Sequence, residues 1–279
     1  MEILHLTHGK VLEMLPDRKA ESHKGNYGKI LLLCGSVGYT GAPALAAMGA
    51  LRSGAGLVFL GVPASIYAIE AVKLLEPIVF PVGDEEGKFS SVTDVENYLQ
   101  QADAVLIGPG IGRSERVCQF AKYVLTNYNG PVVLDADGIS LMAQHKDILR
   151  GRTAPTILTP HEGEFRRIAE LSDDRVESAI RLAQDIRSVV VLKGHRTVIT
   201  DGNEVYVNLT GNPGMAVGGS GDVLAGVILS LLGQGLPPLQ AAACGVWLHG
   251  AAGDLCAKEL GQYGMLPSDM LTMLPRLMK

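Results

Sequence analysis

Residues 211–232 read GNPGMAVGGSGDVLAGVILSLL, and the fold is decided by how this stretch is read. Its first half is a glycine-rich loop: Gly211, Gly214, Gly218, Gly219 and Gly221, with one acid, Asp222, at its end. From Val223 on, the apolar residues Val223, Leu224, Val227, Ile228, Leu231 and Leu232 recur at three and four, the spacing of a helix face. Glycines let backbone N–H groups crowd together, because no Cβ blocks the approach. The first N–H groups of a helix lack internal partners and carry partial positive charge. A loop of this kind running into a helix start is an anion site, typically for phosphate. The dipole of that helix is expected to keep Asp222 ionised at neutral pH. Asp222 either caps the helix or takes a proton from a hydroxyl attacking the bound phosphate. The glycines around it favour the second role.

Upstream, the same grammar repeats. Residues 29–34, KILLLC, form a continuous apolar run that suits a strand buried on both faces. The run ends in GSVGYTGAP at 35–43, a turn that allows close backbone approach to a ligand, and a helix is expected over 44–53. Further strands are expected at 57–62, 77–82, 104–107, 131–134, 156–159 and 189–192, with helices at 66–75, 92–101, 115–127 and 173–187 and a polar turn at 83–88. Asp201-Gly202, between alternating segments at 197–200 and 204–208, signals a type I′ hairpin. Strand, glycine or acid loop, helix, repeated about six times, gives a parallel sheet covered on both faces. Ligand loops then gather at the carboxyl ends of the strands. Neither a P-loop nor a Rossmann fingerprint occurs. No linker interrupts the pattern, so one domain over residues 1–279 is expected, with 1–25 a leader packed on it.

Several loops carry candidate chemistry. Gly108, Gly110 and Gly112 follow the strand at 104–107, and three glycines favour a ligand-facing loop over a simple turn. Asp135 and Asp137 sit at a strand end, where they hold a metal-bound water or a hydroxyl, or else cap the next helix. Glu162 and Glu164 follow Pro160; a carboxylate there either positions Mg2+ on phosphates or complements the helix dipole. His5 and His8 lack a third ligand nearby and read as structural. Cys244, His249 and Cys256 match no zinc spacing and read as helix packing.

Composition narrows the classes. With 47% hydrophobic and 19% charged residues a sizeable core forms. A net charge of −5 and no basic run argue against a nucleic-acid footprint. Four scattered cysteines in apolar stretches read as buried free thiols, which fits a reducing, cytoplasmic setting. The N-terminal residues show no cationic start followed by an apolar run, so no secretory signal is expected. No apolar stretch reaches ~18 residues unbroken, so no membrane span is expected.

GGSGD at 218–222 resembles the anion hole and catalytic aspartate of ribokinase-like kinases. TPHEGE at 159–164 is similar to that superfamily's N-x-x-E motif, with His161 where the asparagine stands. That histidine, with YTGAP at 39–43, GPGIG at 108–112, LDADG at 134–138 and KGHRT at 193–197, resembles the ADP-dependent NAD(P)H-hydrate dehydratase family. The resemblance implies a ribokinase-like three-layer α/β/α sandwich with a mostly parallel central sheet. It implies ADP-dependent dehydration of the S-epimer of hydrated NADH or NADPH, releasing AMP and phosphate, with Mg2+ on the nucleotide. It assigns Asp222 as catalytic base and Gly218, Gly219, Ser220 and Gly221 as the anion hole. Lys193, Gly194, His195, Arg196, Thr197 and Gly221 are assigned to the nucleotide, and Ala42, Gly110, His161 and Asp222 to the hydrated cofactor. Glu164 is assigned to the metal through water. It further implies a homotetramer and an epimerase partner on a separate chain. Two alternatives share the loop: a ribokinase-like small-alcohol kinase, for which asparagine at position 161 is the mark, and a nucleotide-binding regulator, which would have no use for Asp222 as a proton acceptor.

Overall fold

The computed structural model describes residues 2–83 and 89–279. In chain order the elements are β1 (Ile3–Leu4), α1 (His8–Met14), β2 (Lys29–Leu33), α2 (Gly41–Arg52), β3 (Leu57–Pro63), α3 (Ala64–Lys73) and β4 (Ile78–Val82). Then follow α4 (Thr93–Leu99), β5 (Ala104–Ile107), α5 (Glu115–Asn127), β6 (Val132–Leu134), α6 (Asp137–Met142), α7 (Lys146–Gly151) and β7 (Thr156–Leu158). The rest are α8 (Glu162–Ile168), α9 (Arg175–Ile186), β8 (Val189–Leu192), β9 (Val198–Thr200), β10 (Val205–Val207), α10 (Ser220–Gly233), α11 (Pro238–Leu260) and α12 (Pro267–Leu277).

The strands form one sheet in the order β1-β10-β9-β8-β7-β6-β5-β2-β3-β4. Every pairing is parallel except those of β9, which runs against β8 and β10. Side chains of β2 alternate between faces, as strand geometry requires. Ile30 and Leu32 enter a core built with α2, α10, α11 and α12, whereas Leu31 and Leu33 enter one built with α4, α5, α8 and α9. Two cores on the two faces of one sheet make the three layers that were expected.

The chain runs β2, β3, β4 toward one edge, then returns and continues from β5 toward the other. The direction therefore reverses between β2 and β5, and the loops leaving their carboxyl ends part there. Such a switch point opens a crevice for ligands. The loops after β2 and β5 are the two glycine loops quoted above, at 35–43 and 108–112.

Several expectations need correction. The N-terminal segment contributes β1, which pairs in parallel with β10 at Ile3 and Val205. α2 starts at Gly41, placing Ala42 in the helix's first turn. α7 lies in a stretch without apolar periodicity and was not expected. The β9–β10 turn is not type I′, which needs positive φ at both central residues. Gly202 has a φ of +95°, but Asp201 is not among the positive-φ residues. Instead the Asp201 carboxylate accepts the N–H groups of Asn203 and Glu204, each at 2.8 Å. The polar turn expected over 83–88 lies outside the described residues beyond Gly83.

α2 and α10 touch backbone to backbone because glycines face the contact. A Cβ on Gly49 would stand 2.7 Å from the Val223 carbonyl, and one on Gly226 would collide with the Ala46 carbonyl. This contact sets α10, and hence the glycine loop before it, against the start of α2. Gly226→Ala is expected to destabilise the protein by about 1–3 kcal/mol, the usual cost of overpacking. Alanine's intrinsic helix preference of ~1 kcal/mol would give the opposite sign. Urea unfolding of the variant decides between them.

Candidate active site

Two helix starts face the crevice without side-chain caps. α10 begins after Gly219, whose φ of +99° no ordinary side chain tolerates well. The Ser220 N–H reaches the Val217 carbonyl at 3.3 Å. Among the described residues the N–H groups of Gly218, Gly219, Gly221 and Asp222 meet no protein acceptor. α2 begins after Thr40, which likewise makes no side-chain cap. Unpartnered N–H groups at two helix starts make an anion site, as read from the sequence for α10.

Beneath the loop lies a buried cluster of charge. The Lys193 ammonium, just past β8, sits 2.8 Å from Oδ1 of Asp135 and 3.8 Å from Oε2 of Glu164. Thr159 donates its hydroxyl to the same Asp135 oxygen at 2.6 Å. A Cβ on Gly221 would stand 3.4 Å from the Lys193 ammonium, so the cation lies directly under the anion loop. Burial pulls the Lys193 pKa down, but Asp135, Glu164 and Asp222 more than offset it, and lysine stays charged. Its ammonium turns inward, while Gly194, His195 and Arg196 stand exposed.

Asp222 departs from the expected ionised state. Burial pushes its pKa up, Asp135 and Glu164 push it further, Lys193 opposes them, and the carboxyl arrives at about 7. The dipole argument considered the helix alone and missed two acids brought in by β6 and α8. Cys34, buried at the end of β2, is raised chiefly by burial, with Asp222 and Asp135 adding to it.

His161 and Glu164 form a capping box at the start of α8. The Glu164 N–H donates to Nδ1 of His161 at 3.2 Å, and the His161 N–H donates to Oε2 of Glu164 at 2.9 Å. The remaining Glu164 oxygen stands 3.3 Å from Nε2 of His161. Both oxygens are thus engaged, which leaves water-mediated contact to a metal as its possible role. Among the described residues no three acids or histidines cluster as a metal cage. The set fits Mg2+, which keeps its waters and takes phosphates plus one or two carboxylates. Of the two acids in LDADG, neither caps α6. Asp135 joins the cluster, while Asp137 accepts the Gly112 N–H at 3.0 Å and pairs with Arg113 at 3.2 Å. Between them Ala136 holds a positive φ of +51°, a strained geometry of the kind that gathers at active sites.

The crevice wall joins the two predicted substrate loops. The Gly35 N–H donates to the Pro109 carbonyl at 2.8 Å, and Ser36 donates its hydroxyl to the Gly110 carbonyl at 2.7 Å. A Cβ on Gly110 would lie 3.3 Å from that of Ala42 and 2.9 Å from that of Tyr39. Ala42 and Gly110 are therefore neighbours, as their shared assignment requires. On the other side, Arg175 from the start of α9 gathers the KGHRT loop. Its guanidinium donates to the carbonyls of His195, Lys193 and Leu192 at 2.7, 3.0 and 3.2 Å. Sequence reading missed Arg175 and, in α11, Asp254; His249 of α11, expected as helix packing, touches the glycine loop as Asp254 does. A charged residue in a helix's first turn and polar residues on an apolar helix gave no local signal.

Hollows of about 270 to 550 Å3 lie at the opposite, amino end of the sheet. Arg152, which lines two of them, has its donors taken up by the carbonyls of Leu125, Tyr128 and Gly130. The convergent charge lies instead in the open crevice. His5 and His8 bond to the Val207 and Leu277 carbonyls, and all four cysteines are buried free thiols. Among the described residues no helix is long and apolar enough to cross a membrane.

A model of the NAD(P)H-hydrate dehydratase family matches residues 30–276. The ADP-dependent (S)-NAD(P)H-hydrate dehydratase of Bacillus subtilis is 37% identical over 286 residues, covering 100% of this chain and 99% of that protein. The crystal structure of the ADP/ATP-dependent NAD(P)H-hydrate dehydratase from Bacillus subtilis, co-crystallized with ATP and Mg2+, aligns with a TM-score of 0.84 at 34% identity. That alignment covers 99% of this chain and 98% of that one. A ribokinase-like superfamily protein from Enterococcus faecalis aligns with a TM-score of 0.88 at 31% identity, over 99% of this chain and 95% of its own. The fold is ribokinase-like. The chain spans about half the length of longer curated relatives, bifunctional NAD(P)H-hydrate repair enzymes that it matches at 37 to 42% identity.

The raised Asp222 pKa carries a stability consequence. A carboxyl whose folded pKa exceeds its unfolded value of roughly 4 binds its proton more tightly when folded. Its contribution is full below pH ~4 and is lost as pH rises through about 7. Asp222→Asn cannot ionise, so the variant is expected to gain on the parent chain between pH 5 and pH 8. A relative Tm gain of at least ~2 °C, what about 1 kcal/mol gives at this size, is expected from melts at the two pH values.

Proposed function

Because the chain belongs to the NAD(P)H-hydrate dehydratase family, we propose that it restores hydrated NADH or NADPH, the S-epimer, to the dihydronicotinamide at the expense of ADP. The observation that carries this reading is Asp222 beside the unpartnered N–H groups of the glycine loop, with its pKa at about 7. A general base works best when its pKa lies near the working pH.

Hydroxide is a poor leaving group, and phosphorylating the ring hydroxyl makes it a good one. Asp222 accepts the hydroxyl proton while that oxygen attacks the terminal phosphorus of ADP, and AMP departs. The N–H groups of Gly218, Gly219, Ser220 and Gly221 stabilise charge on the transferred phosphoryl group. The ring nitrogen's lone pair then expels phosphate, and loss of a proton from the adjacent carbon completes the double bond. Gly194, His195, Arg196, Thr197 and Gly221 hold the AMP part, and Lys193 supports them from beneath. Ala42, Gly110, His161 and Asp222 hold the hydrated ring. Bound Mg2+ supplies charge neutralisation on the nucleotide phosphates, and Glu164 meets it through water. Residues 1–279 act as one catalytic unit, with the N-terminal segment joined to the sheet through β1. The enzyme is a cytoplasmic homotetramer, in keeping with its free thiols and with the family resemblance. An epimerase that interconverts the two hydrates is its functional partner.

The test incubates the protein with hydrated NADH, Mg2+ and either ADP or ATP and follows recovery of dihydronicotinamide absorbance. Recovery with ADP, accompanied by AMP and phosphate, is expected. Nucleotide consumption with a small alcohol and no recovery of absorbance would assign the chain to the kinases instead. Asp222→Asn is expected to retain nucleotide binding and lose at least ~10²-fold in turnover, the lower range for a general base.

A further inference from the structure

A loop built on Gly211 and Gly219, with φ of +103° and +99°, has little side chain with which to hold its own shape. What it rests on is one face of α11. At the loop's entry Thr210 donates its hydroxyl to the Trp247 carbonyl at 3.0 Å. A Cβ on Gly250 would run into Thr210, so loop backbone lies directly on helix backbone. The Asp254 carboxylate accepts the Gly211 N–H at 2.9 Å and the Asn212 amide at 3.0 Å. Gly253 leaves room for the Met215 side chain. At the loop's exit His249, 7% exposed, brings Nε2 to 2.9 Å from the Ser220 carbonyl and 3.3 Å from its hydroxyl. Trp247, Gly250 and Asp254 recur at three and four along α11, the spacing of one helix face.

We propose that α11 is the template of the anion loop. In it, His249 is the positioning residue that fixes the Ser220 carbonyl, and through it the Gly221 N–H and the Asp222 carboxylate, for phosphoryl transfer. The inference rests on the dehydratase reading for the reaction being positioned, though not for the positioning itself. A carbonyl oxygen has two lone pairs, so Ser220 accepts the imidazole N–H beside the helix's own bond. Burial and the nearby Lys193 cation disfavour a charged imidazole, and the His249 pKa falls to about 4. The ring therefore remains a neutral donor through the working range. His249 touches no reacting atom; it acts through the first residue of α10. Phosphoryl transfer depends almost wholly on positioning, and a displacement of ~1 Å can cost 10²-fold.

The test compares His249→Gln, which keeps an N–H near the position of Nε2, with His249→Leu, which keeps bulk and removes the donor. Hydrogen exchange of the amides over 210–223 is followed in the resting protein, and kcat and the KM for ADP are measured with hydrated NADH. In His249→Leu, exchange of the Ser220 and Val223 amides, which donate to the Val217 and Gly219 carbonyls, is expected to rise roughly 10-fold, about what loss of one hydrogen bond allows. Its kcat is expected to fall at least ~10-fold with the KM for ADP within about 3-fold, and His249→Gln to stay near the parent in both. Unchanged exchange and kcat in His249→Leu would overturn the proposal, as would a Gln variant as impaired as the Leu variant. Should His249→Leu not fold, Asp254→Ala tests the other end: faster exchange at 211–215 with lowered kcat supports the template, and a folded variant with normal kcat overturns it. A parent chain without dehydratase turnover would refute the functional reading, while the exchange data would still decide the template.

Discussion

One buried cation organises this molecule. The Lys193 ammonium stands among Asp135, Glu164 and Asp222, brought there by four separate elements of the sheet and its helices. Carboxylates this close and this buried would repel one another without it, and a buried charge left unpaired is strongly destabilising. Lys193 therefore ties the ends of β6 and β8 to the starts of α8 and α10. It leaves one acid, Asp222, only partly neutralised and facing the glycine loop.

The topology explains why the cluster forms where it does. Parallel strands deliver their carboxyl ends to one side, and the reversal between β2 and β5 opens that side into a crevice. The pairing of β7 with β8 continues past the strands. The Lys193 N–H donates to the Pro160 carbonyl at 2.8 Å, which holds His161 and Lys193 side by side. The close packing of α2 on α10 brings a second uncapped helix start to the same crevice. One end of the sheet thus gathers both the positive backbone dipoles and the negative side chains that phosphoryl transfer needs.

Much of this was legible because it is written locally. β5, β8 and α5 fall on the expected residues, since unbroken apolar runs and the Ser114 cap mark them along the chain. The glycine loops at strand ends and Asp222 at the start of α10 were legible for the same reason. What escaped depends on partners far away in sequence. β1 is two residues long and exists through its pairing with β10. The charge state of Asp222 is set by its burial and then by Asp135, Lys193 and Glu164, and the inward turn of Lys193 goes with the same acids. Arg175 and His249 look like ordinary helix residues until the KGHRT carbonyls and Ser220 are placed against them.

On the proposed mechanism the cluster holds Asp222 as a base poised near neutrality, and the pH dependence of turnover tests this most directly. With Asp222 as the proposed base, activity is expected to rise with pH along a limb centred near its pKa of about 7. Asp135→Asn removes a negative neighbour and should move that limb to lower pH. A profile that stays flat through neutrality, or a limb that Asp135→Asn leaves in place, would contradict the account.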